Sequence, residues 1–121
     1  MKNAINHFEL PVRDMDRALA CYETLLGAPL RRELFGGLPY ALFPHEEPGV
    51  SGALVQDPKR SPGAGALVYL NAGTELDAIL SRAERAGASV LLPKTAIGPE
   101  GSIALLRDTE GNTIGFNEPA T

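Results

Sequence analysis

His7 and Glu9 are the first residues along this chain whose types and spacing could do chemistry. An imidazole and a carboxylate two positions apart project from one face of an extended strand. Such a pair could move a proton as acid and base, hold the imidazole in one tautomer, or point together at an ion. His7 could equally be a hydrogen-bonding wall of a cavity or a neutral strand histidine, and Glu9 a surface charge at a cavity mouth. Tyr69 and Asn71 repeat the spacing with a phenol and an amide, groups suited to recognising an oxygen-rich or aromatic small molecule, or to ordinary polar lining. Tyr40 and Leu42 would add apolar wall. Cys21, the only cysteine, falls at the border of a helical apolar face and reads as an inert, partly buried thiol. His45, Glu46 and Glu47 sit in a turn-rich segment and read as solvated. Tyr22 reads as core, and Glu118, at the chain's end, has no expected role.

These residues must be positioned by a small scaffold. The chain has 121 residues, 44% of them hydrophobic and 21% charged, which is ordinary for a globular protein of one domain or of two half-domains sharing a core. Lys and Arg number 11 against 15 Asp and Glu, a net charge of −4, and no basic run exceeds Arg31-Arg32. Nucleic acid is therefore not an expected partner. No apolar stretch approaches the roughly 20 residues that span a bilayer, so no membrane partner is expected either. With no signal-type segment and a single cysteine, a cytoplasmic location is expected.

Phe8, Leu10 and Val12 alternate with His7 and Glu9, predicting a strand over residues 5–12 with one apolar and one functional face. Met15, Ala18, Leu19, Tyr22, Leu25 and Leu26 then follow helical spacing over 14–26, with Asp14 to cap the start and Gly27 the end. Strands are predicted over 30–35 and 38–43 around a Gly36-Gly37 turn, and over 50–56. The breaker-rich segment 57–65 is a linker. A second series comes next: a strand over 66–71; a helix carrying Leu76, Ile79, Leu80 and Ala83, with Thr74 and Asp77 at capping-box spacing and Gly87 as its stop; and strands over 89–92, 102–107 and 112–117. Asp108-Thr109-Glu110-Gly111 joins the last two as a hairpin loop.

The second series repeats the first at an offset of 60, with Leu10 on Leu70, Ala18-Leu19 on Ala78-Ile79 and Gly27-Ala28 on Gly87-Ala88. The organisation is a single domain over 1–121, with module one at 1–56, the linker at 57–65 and module two at 66–121. Each half has one helix, too little to cover both sides of a four-stranded sheet, so the halves must pack together to complete a core.

The opening His-bearing strand, the Arg13-Asp14-Met15-Asp16 turn, the helix with Tyr22 near its middle and the Leu26-Gly27 end resemble the vicinal oxygen chelate superfamily of glyoxalases, bleomycin-resistance proteins and extradiol dioxygenases. Gly52-Ala53-Leu54-Val55, Leu91-Leu92-Pro93-Lys94 and Asp108-Thr109-Glu110-Gly111-Asn112 are similar to a glyoxalase-related bacterial subgroup. The resemblance implies an α+β fold: two βαβββ modules in an open, curled, eight-stranded barrel-like sheet with a concave cavity. It also implies a divalent metal held by side chains from the first and fourth strands of each module. Those positions fall on His7, on Gly52 or Leu54, on Leu67 or Val68, and on Gly115, with Asn117 on the face of Gly115. Of these only His7 is a metal-ligand type, so no cofactor is expected.

The function expected on these grounds is that of a glyoxalase/bleomycin-resistance-like protein binding a small, partly apolar or aromatic molecule in the cavity. The residues expected there are His7, Tyr40, Gly52, Leu54, Leu67, Tyr69, Asn71, Gly115 and Asn117. The alternative is a glyoxalase-like lyase or isomerase with His7 and Glu9 as acid and base, and a loosely held divalent metal. A structural dimer module with a vestigial cavity is the third reading. The resemblance also implies a homodimer, closed within each chain or by exchange of modules.

Overall fold

The computed structural model describes residues 7–46, 49–63 and 65–120. The predicted strand start at 5–6, Glu47 of the turn and the linker's Ala64 lie outside the described residues. Among the described residues the strands and α-helices run in the order β1 (His7–Pro11), α1 (Met15–Leu26), β2 (Arg31–Phe35), β3 (Leu38–Leu42), β4 (Ser51–Val55), β5 (Tyr69–Asn71), α2 (Leu76–Arg82), β6 (Ser89–Ala96), β7 (Ser102–Arg107) and β8 (Thr113–Glu118). Two βαβββ modules therefore stand in sequence, as the repeat requires. Their sheets run β1-β4-β3-β2 and β5-β8-β7-β6, each with one parallel pair at one end and antiparallel pairs across the rest.

Local chemistry explains the best-predicted elements. Asp14 accepts a hydrogen bond from Arg17 N at 3.1 Å and so satisfies an orphan donor at the start of α1. Gly27 ends the helix in the left-handed region at φ 65°, where a side chain would be strained, and its N–H closes on Glu23 O. Gly36 and Gly37 both take positive φ, which lets β2 and β3 turn tightly. Met15, Ala18, Leu19, Tyr22 and Leu25 are buried, so the helical stripe faces the core.

One hydrophobic cluster spans both modules, drawing Leu10, Tyr22, Leu25 and Leu54 from the first and Leu70, Ile79, Leu106 and Phe116 from the second. The helix-bearing faces of the two sheets share it. Tyr22 packs edge-on against Phe43 with ring centres 5.4 Å apart. Cys21 is buried there, and burial pushes its thiol pKa up, as expected of an inert cysteine.

Several boundaries differ from the sequence expectation. β5 begins at Tyr69 rather than at residue 66; ahead of it the pairing is carried by Gly115 N donating to Val68 O at 2.8 Å. The Thr74–Asp77 capping box does not form. Glu75 is the helix cap with no side-chain bond, and Glu118 accepts from Leu76 N at 3.2 Å instead. Glu118 thus acquires a structural role that its terminal position concealed, strengthened by Lys94 Nζ at 3.2 Å. β6 runs to Ala96 through Pro93, where a loop was expected. Proline is tolerated because β6 is an edge strand, and two register shifts accompany it.

The modules are tied by a polar seam beneath the β7–β8 turn. Glu110, its side chain fully buried, accepts from the backbone N–H of Arg13 at 2.7 Å and Asp14 at 2.9 Å, and from Arg17 Nε at 2.7 Å. Beside it Asp108 accepts from the Tyr22 hydroxyl at 2.6 Å, while Asn112 donates to Pro11 O at 2.8 Å. Burial works to raise the Glu110 pKa, but the Arg17 hydrogen bond and the two backbone donors outweigh it. The carboxyl is held at about 2, below its ordinary 4.5.

A depressed carboxylate pKa stabilises the fold above the unfolded-state value and loses that contribution as pH falls through the folded one. Unfolding midpoints measured from pH 7 to 2 should therefore drop steeply below about 4.5 in the wild type. Glu110→Gln should unfold more easily at neutral pH, by roughly 1–3 kcal/mol for the buried donors left short of a charged partner, and show a flatter acid limb. Equal acid limbs would show that the seam carboxylate is not the titrating group.

Candidate functional site

Strand register assigns the faces. β1 and β4 pair His7 with Ser51, Phe8 with Gly52, Glu9 with Ala53 and Leu10 with Leu54. Because side chains alternate, His7, Glu9, Ser51 and Ala53 share the open face, while Phe8, Leu10, Gly52 and Leu54 share the face packed on α1. Leu54 is fully buried in the core, and the Phe8 ring occupies the space a Cβ on Gly52 would need. Gly52 and Leu54, expected to line the cavity, therefore face the helix side, and by one residue of register Ser51 and Ala53 share the face of His7, Ala53 fully buried there.

In module two, β5 and β8 pair Tyr69 with Gly115 and Asn71 with Asn117, putting all four on the open face; Leu70 and Phe116 turn to the core. Glu9 and Tyr69 are 60 apart and their partners Ala53 and Gly115 are 62 apart (115 − 53), a two-residue difference that keeps the fourth strand on the same face. The Tyr69 ring lies where a Cβ on Gly115 would be, so the glycine makes room for the ring.

A cleft of about 370 Å³ opens here, lined by Tyr69, Ile97, Ile103 and Asn117. Leu67, 42% exposed, is a further apolar residue of this module, whereas Asn71 turns its amide oxygen to Gly73 N at 2.8 Å and caps a turn. Asn117 donates to Ser102 O at 3.2 Å. Sequence reasoning missed both isoleucines. Ile103 was readable from the alternation of β7, where it faces away from buried Ala104; Ile97 lay in a segment expected to be loop.

On the open face of module one, His7 Nδ1 lies 2.7 Å from Ser51 Oγ, and His7 Nε2 lies 3.6 Å from Glu9 Oε2. Arg60, from the linker, donates to Glu9 Oε1 at 2.6 Å. Neither Ser51 nor Arg60 was anticipated. Ser51 follows from the corrected register, whereas nothing in a breaker-rich linker signals which side chain returns to the sheet. Tyr40 pairs with Val55 on the same face and meets Phe35 edge-on, ring centres 5.3 Å apart. It also borders a larger cleft of about 950 Å³ near the start of α1, with Arg13, Arg32, Pro39 and Gln56. Arg32 there is ion-paired to Asp16.

Two βαβββ modules with a histidine on the first strand and open sheet faces define a glyoxalase-type scaffold. The chain belongs to the glyoxalase/bleomycin resistance protein/dioxygenase superfamily, whose family model matches residues 4–116. It is 27% identical to TnmS3, an antibiotic binding protein from Streptomyces sp. CB03234, with a TM-score of 0.71 and 99% of each chain covered. It is also 27% identical to a glyoxalase/bleomycin resistance protein from Catenulispora acidiphila DSM 44928, with a TM-score of 0.67 over 97% of this chain and 100% of that one. The fosfomycin resistance protein FosX from Listeria monocytogenes shares the fold at 13% identity, with a TM-score of 0.68 over 100% and 94% of the two chains. No curated protein matches.

Members of this superfamily that hold a divalent metal need several imidazole or carboxylate donors converging on one point. Among the described residues no three His, Cys, Asp or Glu side chains form such a group. The residues on the open faces beside His7 and Tyr69 are Ser51, Ala53 and Gly115, which do not fit that metal. Among the described residues, no helix is long and apolar enough to cross a membrane.

The two glycines should respond differently to a methyl group. Gly52→Ala must displace the Phe8 ring from between sheet and helix and should lower stability by about 1–3 kcal/mol in thermal unfolding. Gly115→Ala meets a half-exposed tyrosine that can swing outward, so its unfolding midpoint should move less while the Tyr69 ring resonances shift.

Proposed function

We propose that this protein binds a small, partly apolar or aromatic molecule on its open sheet faces and does so without a divalent metal. The carrying observation is the module-two cleft: an apolar wall of Ile97 and Ile103, the Tyr69 ring laid over Gly115, and the Asn117 amide at its rim. A few polar groups in an apolar concavity is the common make-up of a small-molecule site. The likeness to an antibiotic binding protein at 27% identity supports the same reading. The donor set around His7 supports binding independent of metal.

Exposed apolar residues on the open faces support a homodimer. Phe35 is 52% exposed and Tyr69 44%, and a second copy's sheet would shield them and deepen the site. A single buried, free thiol supports a cytoplasmic setting. Acid–base chemistry by His7 and Glu9 is the second reading, favoured by Ser51, whose contact with Nδ1 orients the imidazole.

In titration calorimetry with 2-methoxynaphthalene as the probe, the wild type should bind, EDTA should leave the affinity unchanged, and Tyr69→Ala should weaken it about tenfold, equivalent to losing one aromatic contact. Loss of binding on chelation, recovered with a transition metal, would reverse the metal-free reading. Sedimentation velocity should give twice the chain mass; a monomer at micromolar concentration would remove the dimer.

A further inference from the structure

The cleft at the start of α1 lies away from the module-two site. It has a volume of about 950 Å³, opens between the first turn of α1 and strands β2 and β3, and is lined by none of His7, Glu9 or Tyr69. Arg32 pairs with Ala41 and Leu34 with Pro39; Ala41 is fully buried in the core, so Arg32, Leu34 and Pro39 stand on the face that carries α1. The cleft therefore draws chiefly on the helix side of module one.

Its polar groups carry both signs of charge and are only partly satisfied. Arg13 is tied through its backbone N–H to Glu110, but its guanidinium has no partner among the described residues. Gln56 spends Oε1 on Met15 N at 2.7 Å, which leaves the N–H groups of its amide open. Asp14 caps α1 with one carboxylate oxygen, 3.1 Å from Arg17 N, and the second oxygen has no hydrogen bond among the described residues. Asp16, exposed and ion-paired to Arg32, adds a further carboxylate. Beside them Leu34, 73% exposed, and Pro39 form an apolar bank.

A ligand of one charge sign cannot use this set. An anion on Arg13 meets the neighbouring Asp14 carboxylate, and a cation on Asp14 meets Arg13, whereas a molecule with one positive and one negative end satisfies both. Three consecutive residues of β2, Arg32 to Leu34, border the cleft; their side chains alternate between faces, so main chain forms part of the wall. Amide groups suit such a wall and the open Gln56 donors. The volume lies near the upper end of the roughly 300–1,000 Å³ of small-molecule sites, more than a single amino acid fills.

We propose that this cleft binds a short, unblocked apolar peptide of two or three residues. Its carboxylate lies on Arg13 and the Gln56 amide, its ammonium on Asp14 and Asp16, and its side chains on Leu34 and Pro39. The site is separate from the module-two cleft and stands independently of the reading made for it.

Titration calorimetry with leucyl-leucine tests the assignment. The wild type should bind it at least about tenfold more tightly than N-acetyl-leucyl-leucine, which lacks the ammonium, and than leucyl-leucine amide, which lacks the carboxylate. These blocked peptides probe the unmutated protein. Arg13→Ala, at an exposed position, should weaken leucyl-leucine about tenfold and leave its amide unchanged. Asp14→Asn retains a good N-cap residue and should weaken leucyl-leucine without weakening the acetylated form. Tyr69→Ala should leave peptide binding as it is. No binding of leucyl-leucine to the wild type, equal binding of free and blocked peptides, binding indifferent to Arg13→Ala or to Asp14→Asn, or binding lost in Tyr69→Ala each overturns the inference. The response of 2-methoxynaphthalene to Tyr69→Ala is unaffected by these outcomes, so the two sites fail separately.

Discussion

A buried carboxylate holds the two halves of this molecule in register. Glu110 sits on the β7–β8 turn of module two yet spends its oxygens on module one, on two backbone N–H groups ahead of α1 and on Arg17. A charge with no solvent exposure is tolerable only when its lone pairs are met, and these are. Asp108 and Asn112 extend the same seam to Tyr22 and Pro11, so one four-residue turn and its flanks position β1 and the start of α1. Since β1 carries His7 and Glu9, the geometry of the candidate site depends on a tie made roughly a hundred residues later in the chain.

With the helix-bearing faces joined in one core, the opposite sheet faces lie outside it. Their character differs between modules. Module two presents an aromatic ring on a glycine with isoleucines beside it, and module one presents a polar row balanced in charge. The same backbone plan therefore supports two kinds of surface, because only alternate strand residues were constrained by the core. Glycine plays opposite parts in the two sheets: Gly52 makes room for Phe8 inside the core, and Gly115 makes room for Tyr69 outside it.

The imidazole illustrates how far a scaffold's ancestry and its chemistry separate. It stands on β1 with a hydroxyl, a carboxylate and a returning arginine as neighbours rather than a full set of metal donors. Among the described residues no third His, Cys, Asp or Glu side chain groups with His7 and Glu9.

The sequence by itself determined the order of elements, the helix α1 with both caps, the glycine turn of β2–β3 and the repeat of two modules. These depend on local periodicity and on residues with special backbone freedom, both of which act over a few positions. Alternation alone also placed His7 with Glu9, and Tyr69 with Asn71, on the faces opposite buried Leu10 and Leu70. Tertiary structure decided which face of β4 accompanies His7, since a pairing shifted by one residue exchanges Gly52 and Leu54 for Ser51 and Ala53 without altering any local pattern. It also decided the capping of α2 by Glu118, the return of Arg60 to Glu9 and the burial of Glu110. Each is a contact between groups far apart in sequence, selected by the free energy of satisfying a donor or a charge in three dimensions, and no signal within reach of the local chain encodes it.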